Sequence, residues 1–148
     1  MKKNEMAAVI ELIEKEADMT IATVRPDGYP QATTVSYVND GLTLYFGTSS
    51  SSQKAMNLAG SSKVSLTINR PYRFWKDITG VSMGGDASRV TDAEEFRQVG
   101  QLLYEKYPQI PNFADSESEE VALFRIEPRF ISFLDYRKGF GHTEQYEL

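Results

Sequence analysis

The 148-residue chain contains no cysteine, and this absence removes several kinds of chemistry at once. It excludes disulfide bonds, thiol redox reactions, cysteine nucleophiles and metal centres held by thiolates. The chain has a single histidine, His142, so a site with several histidines from one chain is excluded as well. We therefore expect no metal site, and any redox function must depend on a bound organic cofactor.

Long apolar runs and positive charge are also scarce. No apolar run approaches the roughly 20 residues that span a bilayer. The net charge of −5 disfavours general nucleic-acid binding, which requires a basic surface. The basic start resembles a signal peptide, but glutamates at positions 5, 11, 14 and 16 interrupt the apolar core that a signal needs. These features predict a cytoplasmic protein that binds neither membranes nor nucleic acid.

Alternating apolar and polar residues predict an antiparallel β protein with short turns. The strand patterns fall at residues 19–24, 31–38, 42–48, 63–69 and 78–92, and in two final segments at 121–128 and 129–136. Turn signals occur at residues 25–28 and 39–41, and the strand over 78–92 is expected to bend at Gly84 and Gly85.

Helical spacing predicts three helices between these strands. They are an opening helix over residues 4–17, a short helix over 53–60 and a helix near 92–106 that Thr91 or Asp92 caps. Residues 108–120 read as a polar connection whose last part, 115–120, is an acidic solvated loop, and residues 137–148 read as a tail.

The short connections exclude the parallel crossovers of a doubly wound nucleotide-binding fold. We therefore predict a single, mainly β (α+β) domain over residues 1–148. Its architecture is a six- or seven-stranded antiparallel split β-barrel with an N-terminal helix, a short helix after the third strand and a helix near 92–106.

The segment Gly47 to Lys54, GTSSSSQK, leaves the third strand and enters the short helix. Serine hydroxyls and free backbone N–H groups at a helix start favour an anion, and Lys54 adds a positive charge. A phosphate monoester fits this set. The alternative is an ordinary N-cap made by Ser50, Ser51 or Ser52, with Lys54 in solvent.

Three segments in order resemble the pyridoxamine 5′-phosphate oxidase-like superfamily of FMN-binding split barrels. They are DGYPQATTVSYV, LTLYFGTSSSSQKAMNLAGSSKVSLTI and GVSMGGDASRVTD. The resemblance covers about Met19 to Asp92 and continues more weakly through the final strands. It implies that the domain binds FMN and forms a homodimer with the flavin at the interface.

The resemblance also implies the positions of the cofactor site. It places four residues of the second strand beside the flavin ring: Thr33, Thr34, Val35 and Ser36. It places five residues at the flavin phosphate: Gly47, Thr48, Ser52, Gln53 and Lys54. Thr79, Gly80 and Ser82 would approach the flavin from the partner chain. Each of these residue types also suits an ordinary strand or helix cap.

Some positions depart from authentic pyridoxamine phosphate oxidases. Those enzymes carry basic residues where this chain has Thr33 and Val38, and an arginine where it has Gln53. Their C-terminal substrate-binding pattern is not evident either. We therefore do not expect vitamin B6 oxidation, and the chain looks more like the small stress-protein or flavin-reductase-like members.

Two further segments suggest a substrate pocket. Trp75 lies in the aromatic and basic stretch RPYRFWKD, and Arg137, Lys138 and His142 lie in RKGFGH. Stacking on the tryptophan and charge from the tail suit a planar substrate near the cofactor. The alternatives are a loop that packs on the barrel rim and a frayed terminus.

The resemblance implies an FMN-dependent oxidoreductase that passes electrons from a reduced nicotinamide to an unknown small acceptor. Two alternatives remain open at this stage. One is a flavin-binding stress or sensor protein without efficient turnover, and the other is a split barrel that binds a deazaflavin or haem. No catalytic residue is assigned from the sequence.

Overall fold

The computed structural model describes residues 3–109 and 120–148. Its three α-helices are α1 (Lys3–Lys15), α2 (Gln53–Gly60) and α3 (Ala93–Lys106). Its strands are β1 (Asp18–Val24), β2 (Pro30–Ser36), β3 (Val38–Asp40), β4 (Thr43–Ser49), β5 (Lys63–Asn69), β6 (Thr79–Arg89), β7 (Val121–Asp135) and β8 (Thr143–Glu147). No helix in these residues is long and apolar enough to cross a bilayer.

Seven strands form one curled antiparallel sheet in the order β2-β1-β5-β6-β7-β4-β3, and β8 adds to the second half of β7. The three helices lie at the predicted places, and the predicted α+β split barrel is confirmed. Strand β7 is central to the arrangement, since it pairs with β6 on one side and with both β4 and β8 on the other.

Among the described residues, two apolar clusters stabilise the fold. In β1 and β5 every second residue is buried, because alternate side chains of a strand point to opposite faces of the sheet. Together with one side of α1 (Val9, Leu12 and Ile13), these residues form the larger cluster inside the barrel. A smaller cluster lies between α3 and the sheet and includes Val38, Val99 and Leu103.

The predicted second strand over residues 31–38 is interrupted at Tyr37. Its backbone N–H donates to the Tyr107 hydroxyl at 3.2 Å, and its own hydroxyl donates to the Ile13 carbonyl at 2.5 Å. The Tyr37 side chain is fully buried by these contacts. The chain therefore turns from β2 into β3, which pairs with β4, and the prediction of one continuous strand is wrong in this respect.

The two predicted final strands are one strand of 15 residues, β7. The register against β6 pairs Gly84 with Phe130 and Gly85 with Pro128, so Arg129 has no partner there. This β-bulge accommodates Pro128, which lacks the N–H that a regular ladder requires. The bend predicted at Gly84 and Gly85 is thus confirmed, whereas the predicted break in β7 is wrong.

The tail contains regular structure. A 3₁₀ turn, Tyr136–Lys138, follows β7, and β8 then pairs with residues 130–134. The predicted acidic loop over residues 115–120 lies, apart from Glu120, outside the described residues. Of the two proposed caps of α3, the structure selects Asp92, whose carboxylate accepts a hydrogen bond from the Glu95 N–H at 2.9 Å.

Replacement of the bulge glycines by alanine should destabilise the protein unequally. A Cβ at Gly85 would lie 2.6 Å from the Glu127 carbonyl oxygen, which is backbone, whereas one at Gly84 would meet the Phe130 ring, which is 52% exposed and free to move. We expect Gly85→Ala to lower the free energy of unfolding by about 1–3 kcal/mol and Gly84→Ala by less. Gly60→Ala, where a Cβ meets nothing within 4 Å, is the matched control.

Urea denaturation of the three variants measures these differences. Equal stability of Gly85→Ala and Gly60→Ala would contradict the close approach of β6 and β7 at the bulge.

Candidate functional site

The segment from Gly47 to Lys54, called the serine segment below, forms a compact turn between β4 and α2. Ser52 is the N-cap of α2, and its hydroxyl oxygen accepts from the Ala55 N–H at 3.1 Å and from the Thr48 hydroxyl at 3.0 Å. The N-cap interpretation is therefore correct for Ser52. It is compatible with an anion site, because the N–H groups of Gln53 and Lys54 have no acceptor within residues 3–109 and 120–148.

Lys54 lies in the first turn of α2 and is partly buried. Burial lowers the pKa of its ammonium group. Within the described part of the chain, Lys54 has no ion-pair partner. A cation at a helix N-terminus is opposed by the helix dipole, so this arrangement attracts an anion.

Helix α2 is fixed to the sheet by one buried amide. Asn57 is 1% exposed and donates to the Thr23 hydroxyl at 2.9 Å and to the Gln31 side-chain oxygen at 3.0 Å. Its oxygen accepts from the Gln53 side chain at 2.8 Å. Gln53, which the resemblance places at the phosphate, therefore uses its amide nitrogen within the protein.

The second strand lies at one edge of the sheet. Thr34 and Ser36 are exposed, whereas Thr33 and Val35 are half-buried, and Val35 packs against the barrel core. The Thr33 hydroxyl oxygen is buried and has no hydrogen-bond partner in the described residues. A buried polar atom without a partner is unfavourable, so Thr33 suits a site that a ligand completes.

Within one chain, the residues that the resemblance assigns to the far side of the flavin, Thr79, Gly80 and Ser82, do not lie beside β2. Thr79 and Gly80 are buried in β6, and Ser82 is half-buried. Strands β1 and β5 lie between β6 and β2 in the sheet. A separation of three strand positions is about 14 Å along the sheet.

The aromatic loop and the tail contact each other at the start of β6. The Trp75 and Phe140 rings meet edge to face with centroids 5.5 Å apart, and Tyr136 packs on Phe140 at the same distance. The Tyr136 N–H donates to the Ile78 carbonyl at 2.9 Å. The predicted substrate-pocket residues are therefore neighbours in the fold, and the frayed terminus is excluded for this segment.

The charged groups of the tail are engaged by internal partners. Arg137 forms a two-point ion pair with the buried carboxylate of Asp135, at 2.8 and 3.1 Å, which lowers the pKa of Asp135. Lys138 and His142 both contact Glu144, at 3.0 and 3.1 Å. Hydrogen bonds from Tyr146, Lys138 and His142 lower the Glu144 pKa to about 2. These contacts hold the tail together.

The structure explains two of the three positions at which this chain has a neutral residue where a basic one was expected. Val38 is 3% exposed in the cluster beneath α3, where a basic side chain would lose its solvation. Gln53 contributes to the Asn57 network instead of carrying charge.

Asn57 itself was missed by the sequence reasoning. The available signal was its spacing of four residues from Gln53, which puts both side chains on one helix face.

The fold is an antiparallel split barrel, and the start of α2 presents two N–H groups and a lysine that have no acceptor or ion-pair partner in the described residues. The model of the family described as pyridoxamine 5′-phosphate oxidase matches residues 6–135. The chain therefore belongs to this family. The neutral residues at positions 33, 38 and 53 set it apart from the authentic oxidases. No curated protein matches the chain.

Solved structures agree with this assignment. Conserved hypothetical protein Rv2991 from Mycobacterium tuberculosis is 29% identical, with a TM-score of 0.79 over 93% of this chain and 87% of that chain. The heme storage protein HutZ from Vibrio cholerae is 21% identical, with a TM-score of 0.70 over 85% of this chain and 89% of that chain. An F420 reductase is 22% identical, with a TM-score of 0.68 over 82% of this chain and 94% of that chain. The last two likenesses show the fold alone.

Loss of the Asn57 amide should destabilise the protein and displace the start of α2. Asn57→Ala leaves the buried Thr23 hydroxyl and the half-buried Gln31 side-chain oxygen without these bonds, so we expect a loss of about 2–4 kcal/mol in the free energy of unfolding. Gln101→Ala, on the exposed side of α3, should change it by less than about 0.5 kcal/mol. Urea denaturation tests both variants, and equal stabilities would contradict the anchoring role.

Proposed function

We propose that the protein binds FMN through the serine segment and the start of α2. The observation that carries this proposal is Lys54, a partly buried cation with no ion-pair partner in the described chain. Beside it are the N–H groups of Gln53 and Lys54, which have no acceptor within residues 3–109 and 120–148, and the Ser52 hydroxyl that caps the helix. A phosphate monoester would supply negative charge and acceptor atoms to Lys54 and these N–H groups.

The residues of β2 suit the flavin ring of FMN, at the opposite end of the ligand from the phosphate. Thr33 offers a buried hydroxyl that has no partner in the described residues, and small side chains from Thr33 to Ser36 allow a flat ring to approach the backbone. Thr79, Gly80 and Ser82 would close the site from a second chain. Their separation from β2 within one chain supports this division of roles.

The proposed activity is an FMN-dependent oxidoreductase, with a reduced nicotinamide as donor and a small molecule as acceptor. When bound, the flavin supplies the electron transfer that a chain without cysteine cannot perform with its own side chains. The serines and Lys54 would fix the phosphate, and β2 would orient the ring and exclude water from one side. Membership of a family on one scaffold does not by itself fix the reaction.

Titration with FMN and riboflavin tests the phosphate site directly. FMN should bind at least about tenfold more tightly, since a charge-assisted phosphate contact contributes on the order of 1.5–3 kcal/mol. Lys54→Ala should weaken FMN binding and leave riboflavin binding almost unchanged. Lys63→Ala is the matched control, because Lys63 is an exposed lysine of β5 without an ion pair in the described residues.

Equal affinities for FMN and riboflavin in the unaltered protein would overturn the proposal. The FMN preference should also decrease at high salt, through screening of the partly exposed charge. A co-purifying deazaflavin or haem, identified by its absorption spectrum, would replace FMN as the cofactor.

A homodimer with shared cofactor sites is the second part of the proposal. It is tested by co-expression of two defective chains, Lys54→Ala and Ser82→Glu, each of which should bind FMN poorly alone. In a mixed dimer one site receives both substitutions and the other receives none. Binding of about one FMN per mixed dimer, measured by calorimetry, is therefore expected if each site uses both chains. Shared sites would be contradicted if the mixed dimer bound no FMN, or if a monomer bound FMN stoichiometrically.

A further inference from the structure

An exposed aromatic surface lies at one end of the barrel and is not explained by the phosphate segment. It consists of the loop over residues 70–77 and Phe140, and is called here the aromatic surface. Its large side chains are mostly in solvent: Tyr72 is 60% exposed, Phe74 56%, Trp75 59% and Phe140 81%. Exposed apolar residues that are grouped in this way mark binding sites rather than ordinary surface.

The cations of this surface are available to a ligand. Arg73 and Lys76 lie 6.0 and 5.7 Å from the centre of the Phe74 ring. Neither they nor Arg70 form an ion pair within residues 3–109 and 120–148. Arg137 and Lys138, by contrast, are committed to Asp135 and Glu144. In a chain with a net charge of −5, this loop is a local concentration of positive charge.

The aromatic surface is attached to the strand that the proposed cofactor site would use. The Arg70 N–H donates to the Thr79 carbonyl at 3.1 Å and closes the base of the loop. Ile78 joins the loop to β6, and its carbonyl accepts from Tyr136. A ligand on this surface would therefore lie next to the segment from Thr79 to Ser82.

We infer that the aromatic surface binds a planar aromatic anion, which serves as the reactant that meets the flavin. Flat rings stack on exposed aromatic side chains, and a phosphate or carboxylate pairs with Arg73 and Lys76. A nicotinamide dinucleotide belongs to this class. The role as a reactant rests on the proposed function, whereas the binding site itself does not depend on it.

A planar aromatic anion fits the aromatic surface better than a second copy of the chain does. An interface between copies would cover the four aromatic side chains and leave unpaired arginine and lysine groups within it, which is unfavourable unless acidic residues face them. A small planar anion satisfies the rings and the cations together. A second copy remains a distinct outcome of the test.

The test uses NADP⁺, adenosine and inorganic pyrophosphate as probes on the full-length protein, with and without FMN. Trp75 is the only tryptophan, so its fluorescence reports binding at this surface. NADP⁺ carries both rings and phosphates and cannot reduce a flavin. We expect it to change Trp75 emission and to bind, by calorimetry, at least about tenfold more tightly than adenosine or pyrophosphate.

The double variant Arg73→Ala with Lys76→Ala should weaken NADP⁺ binding about tenfold and leave adenosine binding unchanged. Lys63→Ala with Arg89→Ala is the matched control. It removes one lysine and one arginine that are exposed and have no ion pair in the described chain. Phe140→Ala should weaken both NADP⁺ and adenosine, because it removes the ring that packs on Trp75.

Three results would overturn the inference. They are an unchanged Trp75 emission with NADP⁺, an equal loss of binding in both double variants, and dissociation of an oligomer by the Arg73→Ala, Lys76→Ala variant in sedimentation. Binding of NADP⁺ here while FMN and riboflavin bind alike would support the aromatic surface and refute the phosphate segment. The two proposals can therefore fail separately.

Discussion

Strand β7 is the element on which the barrel and both ends of the candidate site depend. Its first half pairs with β4, which leads into the serine segment, and its second half pairs with β8 and positions the tail. Along its length it pairs with β6, and the register shift at Gly84 and Gly85 allows the strand to continue through Pro128. The β-bulge, in which Arg129 is the extra residue opposite Gly84 and Gly85, thus lies where the two halves of β7 meet.

A second constraint is the distribution of charge between paired and unpaired groups. Glu95 of α3 and Arg125 of β7 form an ion pair at 2.6 Å, and Arg137 is held by Asp135 at the start of the tail. These pairs stabilise elements of the fold. Lys54 is different because it is partly buried at a helix start, where both burial and the helix dipole oppose a positive charge. The bonds of Asn57 to β1 and β2 hold helix α2, and with it the backbone of Lys54, against the sheet.

Membership of the pyridoxamine 5′-phosphate oxidase family places this chain on a scaffold with more than one use. The structural neighbours include a heme storage protein and an F420 reductase, and at their level of identity the likeness shows the fold alone. The proposal of FMN therefore rests on the local chemistry of the serine segment, which suits a phosphate. The proposed reactant rests on the aromatic surface, whose exposed rings and cations without an ion pair in the described residues suit a flat anion.

The sequence alone determined the exclusion of thiol chemistry, the antiparallel class, the positions of the three helices and the bend at Gly84 and Gly85, because composition and local periodicity carry that information. The tertiary structure decided where strands end and which polar groups are free. Tyr37 interrupts a regular alternating pattern because its partners, Ile13 and Tyr107, are 24 and 70 residues away. Likewise, Gln53 and Arg137 look available in the sequence, yet the fold supplies Asn57 and Asp135 as their partners. The contacts of Tyr37 join residues distant in the chain and leave no periodic trace. The partners of Gln53 and Arg137 are close in the sequence, but several neighbours could serve, so only the folded arrangement shows which side chains meet. It also leaves Lys54, Arg73 and Lys76 without an ion pair within residues 3–109 and 120–148.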